Sequence, residues 1–207
     1  MATSMSKPDF ILVGGHPALD FVNALDWRFL FEGREENLKK YAAFLHFFVR
    51  SRLLTSRQAR LLQQSNGARV TASALLRAKE LREAISLVFY TRLDQGNSSA
   101  AARQAMKRYL HVAQPYHSLD WVGPKFRLGC AKMETAVEYP LWLLVRSASG
   151  LILSENVKNV RACANPDCRL LFLGSIHTAP RRWCHNAICG NRIRVSVLSS
   201  PLARPLV

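Results

Sequence analysis

The sequence predicts a mainly α fold: a helical N-terminal domain with a short β element, followed by a small C-terminal zinc-finger module built on four cysteines. Three observations lead there. Apolar residues recur at helical spacing through most of the chain up to Ser149. The pattern gives way to short extended runs around Gly123-Pro124. Four of the five cysteines then crowd into the stretch from Cys163 to Cys189. The expected division is 10–153 for the helical domain, 154–196 for the cysteine module and 197–207 for a tail. The first segment is long enough for a real core, since domains commonly run ~100–150 residues. A hydrophobic share of 49% fits an ordinary globular chain.

Residues 1–9 read as a loose tail. Phe10 to Val13 is a short apolar run, broken by Gly14-Gly15, and Pro17 is placed to open a helix bearing Leu19, Val22 and Asn23. From Glu35, the spacing of Leu38, Tyr41, Ala42, Leu45, Phe48 and Val49 predicts a second helix. Thr55 and Gln58 match a capping box for a short helix through Gln64, with Asn66-Gly67 as its stop. Thr71 is expected to cap the longest helix, whose stripe is Leu75, Ala78, Leu81, Ile85, Val88 and Phe89. Gly96-Asn97 breaks it. Ala102, Ala105, Met106, Tyr109 and Val112 mark a further helix ended by Pro115. Trp121, Val122, Phe126 and Leu128 suggest two short strands, and Lys132 to Ser149 is expected to be helical, bent or broken at Pro140. Near Ser154 the chain leaves the apolar helices.

The cysteines are set as Cys163-x4-Cys168 and Cys184-x4-Cys189, separated by 15 residues. Two paired knuckles of this kind bring four thiolates to one tetrahedral Zn²⁺, each sulfur about 2.3 Å from the metal. Four sulfurs fill the first shell, so the expected ion is structural rather than catalytic. His177 and His185 are the competing ligands. Trp183 is placed to shield the metal, Asn165-Pro166 makes a turn before Cys168, and Gly190 permits a close backbone approach to sulfur. Cys130 reads as a small buried apolar residue.

Lys+Arg 29 against Asp+Glu 14 gives a formal charge of +15. Four thiolates with one Zn²⁺ contribute −2, leaving about +13, still a strong field for polyanions. No signal-peptide core is visible, and the longest strongly apolar stretch, Tyr139 to Val145, is far below the ~20 residues that span a bilayer. The expected location is cytoplasmic, where reduced thiols favour metal over disulfides. From Ser154 onward eight cations face only Glu155 and Asp167. Arg181, Arg182, Arg192 and Arg194 flank the second knuckle and are the candidates for phosphate contact, because the guanidinium fork matches phosphate oxygens. Compensation of the metal site's own charge is the competing role, most of all for Arg192. His16, Asp20, Asn23 and Arg82 could line a polar effector pocket. Equally, His16 and Asp20 could cap the first helix while Arg82 pairs with Asp20 or Glu83.

Trp183-Cys184 and Cys189-Gly190-Asn191-Arg192 resemble the signature of the CGNR zinc finger, with CANPDC at 163–168 and the Phe172 region similar to its first knuckle. The run Gly15 to Asn23 (GHPALDFVN) resembles the start of the ABATE domain commonly joined to that finger, and Leu81 to Ala84 its central helix. Together the two cover nearly the whole chain. The resemblance implies a stress-responsive bacterial transcription regulator. It also implies a strongly basic helix after the finger, yet this sequence continues as IRVSVLSSPLARPLV, where Pro201 stops extension and only Arg204 adds charge beyond Arg194.

The leading expectation is therefore a regulator that binds double-stranded DNA through the zinc module, its helical domain sensing a small-molecule effector or forming a homodimer. The alternative is an effector-binding or protein-interaction module whose finger is purely structural. RNA is disfavoured by the lack of an evident exposed aromatic platform. No phosphate-cradling glycine loop, metalloprotease helix or nucleophile elbow is present, so an enzyme is not expected.

Overall fold

The computed structural model describes residues 10–30, 32–97, 99–114, 117–130, 135–174 and 181–192. Six helices form the body: α1 (Pro17–Val22), α2 (Tyr41–Arg50), α3 (Ser56–Ser65), α4 (Ala68–Leu93), α5 (Ala100–Ala113) and α6 (Tyr139–Leu153). Three two-stranded antiparallel ribbons accompany them: β1 (Leu25–Asp26) with β2 (Glu35–Glu36), β3 (His117–Val122) with β4 (Lys125–Cys130), and β5 (Val160–Ala162) with β6 (Leu171–Leu173). The 1–9 and 197–207 tails, Pro115, His177 and Arg194 lie outside the described residues, as does the side chain of Cys130.

The helices form where the apolar spacing predicts, and their ends follow local chemistry. In α3 the capping box is complete: Thr55 accepts the Gln58 N–H at 3.2 Å while the Gln58 side chain accepts the Thr55 N–H at 2.9 Å. Three starts differ from expectation. The helix expected from Glu35 begins at Tyr41, because Glu35 and Glu36 pair with Asp26 and Leu25 as a strand. Gly67, not Thr71, caps α4; Thr71 lies buried within the first turns and donates to the Ala68 carbonyl at 3.0 Å. Helix α6 starts at Tyr139, after turns at 135–138, with Pro140 in its first turn, where a missing N–H costs nothing; Lys132, the expected start, lies outside the described residues.

The core is aromatic at its centre. Phe21 of α1 meets Phe44, Phe47 and Phe48 of α2 at ring-centroid distances of 5.3–6.3 Å, and Phe89, Leu81 and Ile85 of α4 close it from another side with Leu141, Leu144 and Val145 of α6. Arg82 is buried in the wall of this core. It makes a two-pronged bond to Glu36 at 2.8 and 2.9 Å and a further bond to Glu83 at 2.9 Å. Burial alone would raise the Glu36 carboxyl, but the bonds and charge of Arg82 hold it below its ordinary value.

The β5–β6 ribbon is a wall shared by two cores. Its cross-strand pairs Val160–Leu173 and Ala162–Leu171 face the main core, while Phe172, opposite Arg161, joins a second cluster with the four cysteines and Leu170. Alternation along a strand is what lets three residues serve both sides. The ribbon is locked to α1 by Asn23, which lies just past the last helical residue, Val22. Asn23 Nδ2 donates to the Leu171 carbonyl and Asn23 Oδ1 accepts the Leu171 N–H, both at 2.8 Å and both buried. Beside it the Leu173 N–H reaches the Gly14 carbonyl at 2.9 Å. Asn23→Ala leaves two buried peptide groups of Leu171 without partners. Urea unfolding of the zinc-loaded chain should show a loss of about 2–5 kcal/mol.

Candidate metal centre

Cys163, Cys168, Cys184 and Cys189 converge as the two knuckles predict. All four are buried, and their sulfurs lie within 4.8 Å of one another. The Cys168–Cys184 and Cys184–Cys189 sulfur separations are 3.6 and 3.5 Å. A tetrahedron with Zn–S bonds of ~2.3 Å has edges of ~3.8 Å, so the set is already close to the geometry zinc requires. Without a cation the cluster resists full ionisation. Bonding to the Cys163 sulfur holds the Cys168 and Cys184 thiols protonated, and burial does the same for Cys189. A divalent ion removes that resistance, and the site holds one structural zinc.

The first knuckle is shaped by Asn165. Its Oδ1 accepts the Asp167 N–H at 3.0 Å, its carbonyl accepts the N–H groups of Cys168 and Arg169 at 3.1 and 3.0 Å, and its Nδ2 lies 4.0 Å from the Cys189 sulfur. Arg169 then turns the chain at φ 46. A left-handed arginine is uncommon, and this one is held in place by its surroundings. Its guanidinium sits 5.0 and 5.3 Å from the Phe29 and Tyr90 rings and bonds Asp94 at 2.9 Å, while Tyr90 Oη donates to the Arg169 carbonyl at 2.8 Å. In the second knuckle the His185 carbonyl accepts from Ile188, Cys189 and Gly190, and the His185 side chain is exposed. Trp183 covers the cysteines as expected. Gly190 lies close to that ring rather than to sulfur: a Cβ there would stand 3.2 Å from the Trp183 Cδ1, a tight contact that the ring would have to relieve by a small shift.

The candidate phosphate ligands separate. Arg181 is exposed, but its guanidinium is engaged by the chain's own carbonyls. Its Nε donates to the Trp183 carbonyl at 2.9 Å, its two terminal nitrogens reach the carbonyls of Val13 and Cys184, and its plane lies 4.3 Å from the Phe172 ring centre. Arg182 stacks over Trp183 at 4.9 Å and Arg192 over Trp27 at 4.4 Å; both are exposed, and neither forms an ion pair among the described residues.

The four candidates for a polar pocket do not converge on one. His16 Nδ1 accepts the Ala18 N–H at 3.3 Å, the helix-cap alternative. Asp20 accepts the Gly14 N–H at 2.7 Å, Asn23 holds Leu171, and Arg82 is occupied by Glu36 and Glu83. A Cβ at Gly14 would collide with Asp20 Oδ1 at 2.9 Å, so only glycine fits there. A cavity of about 230 Å³ opens onto the metal cluster itself: Cys168, Cys184 and Cys189 line it together with Trp27, Asp26 and Arg192. Trp27 carries no pattern that marks it in the sequence; its φ of 50 and its place against the cysteines appear only in the fold.

Residues 15–155 match the family model ABATE, described as "Putative stress-induced transcription regulator", and residues 159–198 match the CGNR zinc finger. No curated protein matches the chain. Among the described residues no helix is long and apolar enough to cross a membrane.

Zinc content should be one ion per chain, and Cys184→Ser should abolish it. Because Val160, Leu171 and Leu173 anchor the ribbon in the main core, chelation should alter the fluorescence of Trp27 and Trp183 while far-ultraviolet circular dichroism keeps the helical signal. Burial raises the Asp20 carboxyl from 3.8 to about 6, against the pull of the Gly14 N–H and the Arg181 guanidinium. The folded chain therefore holds this proton more tightly than the unfolded one. The resulting stability is full below pH 3.8 and is lost as pH rises through about 6. Comparing Asp20→Asn with the parent by urea unfolding, the difference should move by up to about 3 kcal/mol in favour of Asn between pH 4 and 7.

Proposed function

The chain belongs to the ABATE family and carries a CGNR zinc finger behind its helical domain, and on that premise we propose that it is a cytoplasmic transcription regulator that binds double-stranded DNA. Both matched families are regulator and zinc-finger types rather than enzymes. The observation that carries the reading is the pair Arg182 and Arg192. The Arg182 guanidinium carbon lies 4.9 Å from the Trp183 ring centre and that of Arg192 4.4 Å from the Trp27 ring centre. A ring beneath a guanidinium restrains it, which lowers the ordering cost of gripping a phosphate. The site's −2 is partly answered by Arg181 and Arg192, and the remaining excess of positive charge suits a polyanion. Arg194, a further candidate from the sequence, lies outside the described residues.

The finger would act as a rigid presenter. Zinc fixes the second knuckle, the β5–β6 ribbon ties it to α1, and a change in the helical domain would move the arginines as a unit.

Salt dependence tests the DNA reading. With two or three arginines on phosphates, the slope of log K against log salt should be about −2 to −3, and Arg182→Ala should reduce its magnitude by about 1 without loss of zinc. Arg181→Ala should instead lower stability with little change in slope. Absence of duplex binding at low salt sinks the reading.

A further inference from the structure

The β3–β4 ribbon has one apolar face that the described residues do not cover. Leu119, Trp121 and Phe126 stand on this face, the last two directly opposite one another in the register. Asp120, Val122 and Lys125 alternate onto the reverse face. The face is exposed where its side chains are described: Leu119 is 67%, Trp121 66% and Phe126 64% accessible. Trp121 and Phe126 meet edge to face with centroids 4.6 Å apart, so they form a fixed wedge rather than two independent side chains. This pair is an exposed aromatic platform, contrary to the expectation from the sequence that none is present.

We propose that this face is a self-complementary dimer interface, its occupant the same face of a second copy of the chain. An isolated two-stranded ribbon is marginal in water, which favours a ribbon whose apolar side is covered. On a chain of formal charge +15 none of the three side chains described on this face is charged, while Asp120 and Lys125 lie on the other side. An uncharged apolar strip offers nothing to phosphates or to an acidic protein, whereas it matches its own two-fold image. The area is of the right order. Aromatic side chains bring ~150–250 Å² each, so Leu119, Trp121 and Phe126 from two copies expose roughly 700 Å², most of the ~1,000 Å² expected of a specific interface.

The proposal does not depend on DNA binding and is tested without DNA. Sedimentation equilibrium of the zinc-loaded full chain across the micromolar range should give twice the 23.3 kDa chain mass. Leu119→Glu should raise the dimer dissociation constant roughly 100-fold by burying a carboxylate against its copy. Val122→Glu, on the reverse face, should change it less than about twofold, since an exposed charge there is solvated. Trp121→Ala should weaken association as Leu119→Glu does, with circular dichroism and zinc content confirming that both variants fold. Added salt should leave the wild-type dimer intact or tighten it. A monomer at every concentration overturns the proposal, as does a dimer indifferent to Leu119→Glu or equally sensitive to Val122→Glu. A monomeric chain whose Trp121→Ala variant loses DNA affinity assigns the face to nucleic acid and overturns it too.

Discussion

Asn23 holds both the N–H and the C=O of Leu171, and the β5–β6 ribbon takes its position from that grip. A side-chain amide offers one donor and one acceptor at the spacing of a backbone N–H and C=O, so it can act as a short extra strand for Leu171. With that edge satisfied, β5–β6 can lie between two apolar clusters without leaving buried peptide groups unpaired. Val160 and Leu171 enter the main core while Phe172 enters the cysteine cluster. The finger is therefore not a bead on a linker. Its first knuckle grows directly out of a ribbon that the helical domain needs as part of its own core.

The same logic explains the arginines. Arg169 fills the gap between the first knuckle and α4, with Tyr90 below and Asp94 at the end of the helix. Arg181 spans from Val13 to the second knuckle across the face of Phe172. Each takes three roles that one charge alone would not fill: ring stacking, hydrogen bonds to carbonyls or a carboxylate, and neutralisation near a thiolate cluster. Surface arginine counts taken from the sequence therefore overstate the charge available to an outside partner. What remains at the second knuckle is Arg182 and Arg192, both with a ring beneath them.

Much of this is legible in the sequence, for identifiable reasons. Covalent spacing marks the metal ligands, since two x4 knuckles leave few other ways to satisfy four thiols. Helical periodicity places α2 to α6, and the Thr55–Gln58 capping box is legible to the residue. The failures share a cause, which is tertiary contact overriding local preference. Glu35 and Glu36 carry good helix propensity but are drawn into a ribbon with β1, and Glu36 is then held by Arg82 from a helix distant in sequence. His16, Asp20 and Asn23 stand out as a polar cluster. Local spacing says that such residues are near one another but not what each one faces, and each faces a different backbone segment. Trp27 and Tyr90 lack any local mark because their work is done on residues far along the chain.

Charge links the two surfaces that the fold leaves open. With its metal each chain carries about +13, so bringing two copies together on an uncharged ribbon face works against electrostatic repulsion that only counterions relieve. A polyanion lying along the arginines of both copies would supply that relief. By linkage, whatever DNA gains from a dimer's doubled set of phosphate contacts, the dimer gains from DNA. The two equilibria should then respond to salt in opposite directions when measured apart: DNA binding weakens as counterion release loses its advantage, while self-association is eased by screening. A regulator built this way would meet its target with a short basic surface on each copy, which offsets the small number of basic residues after Arg192.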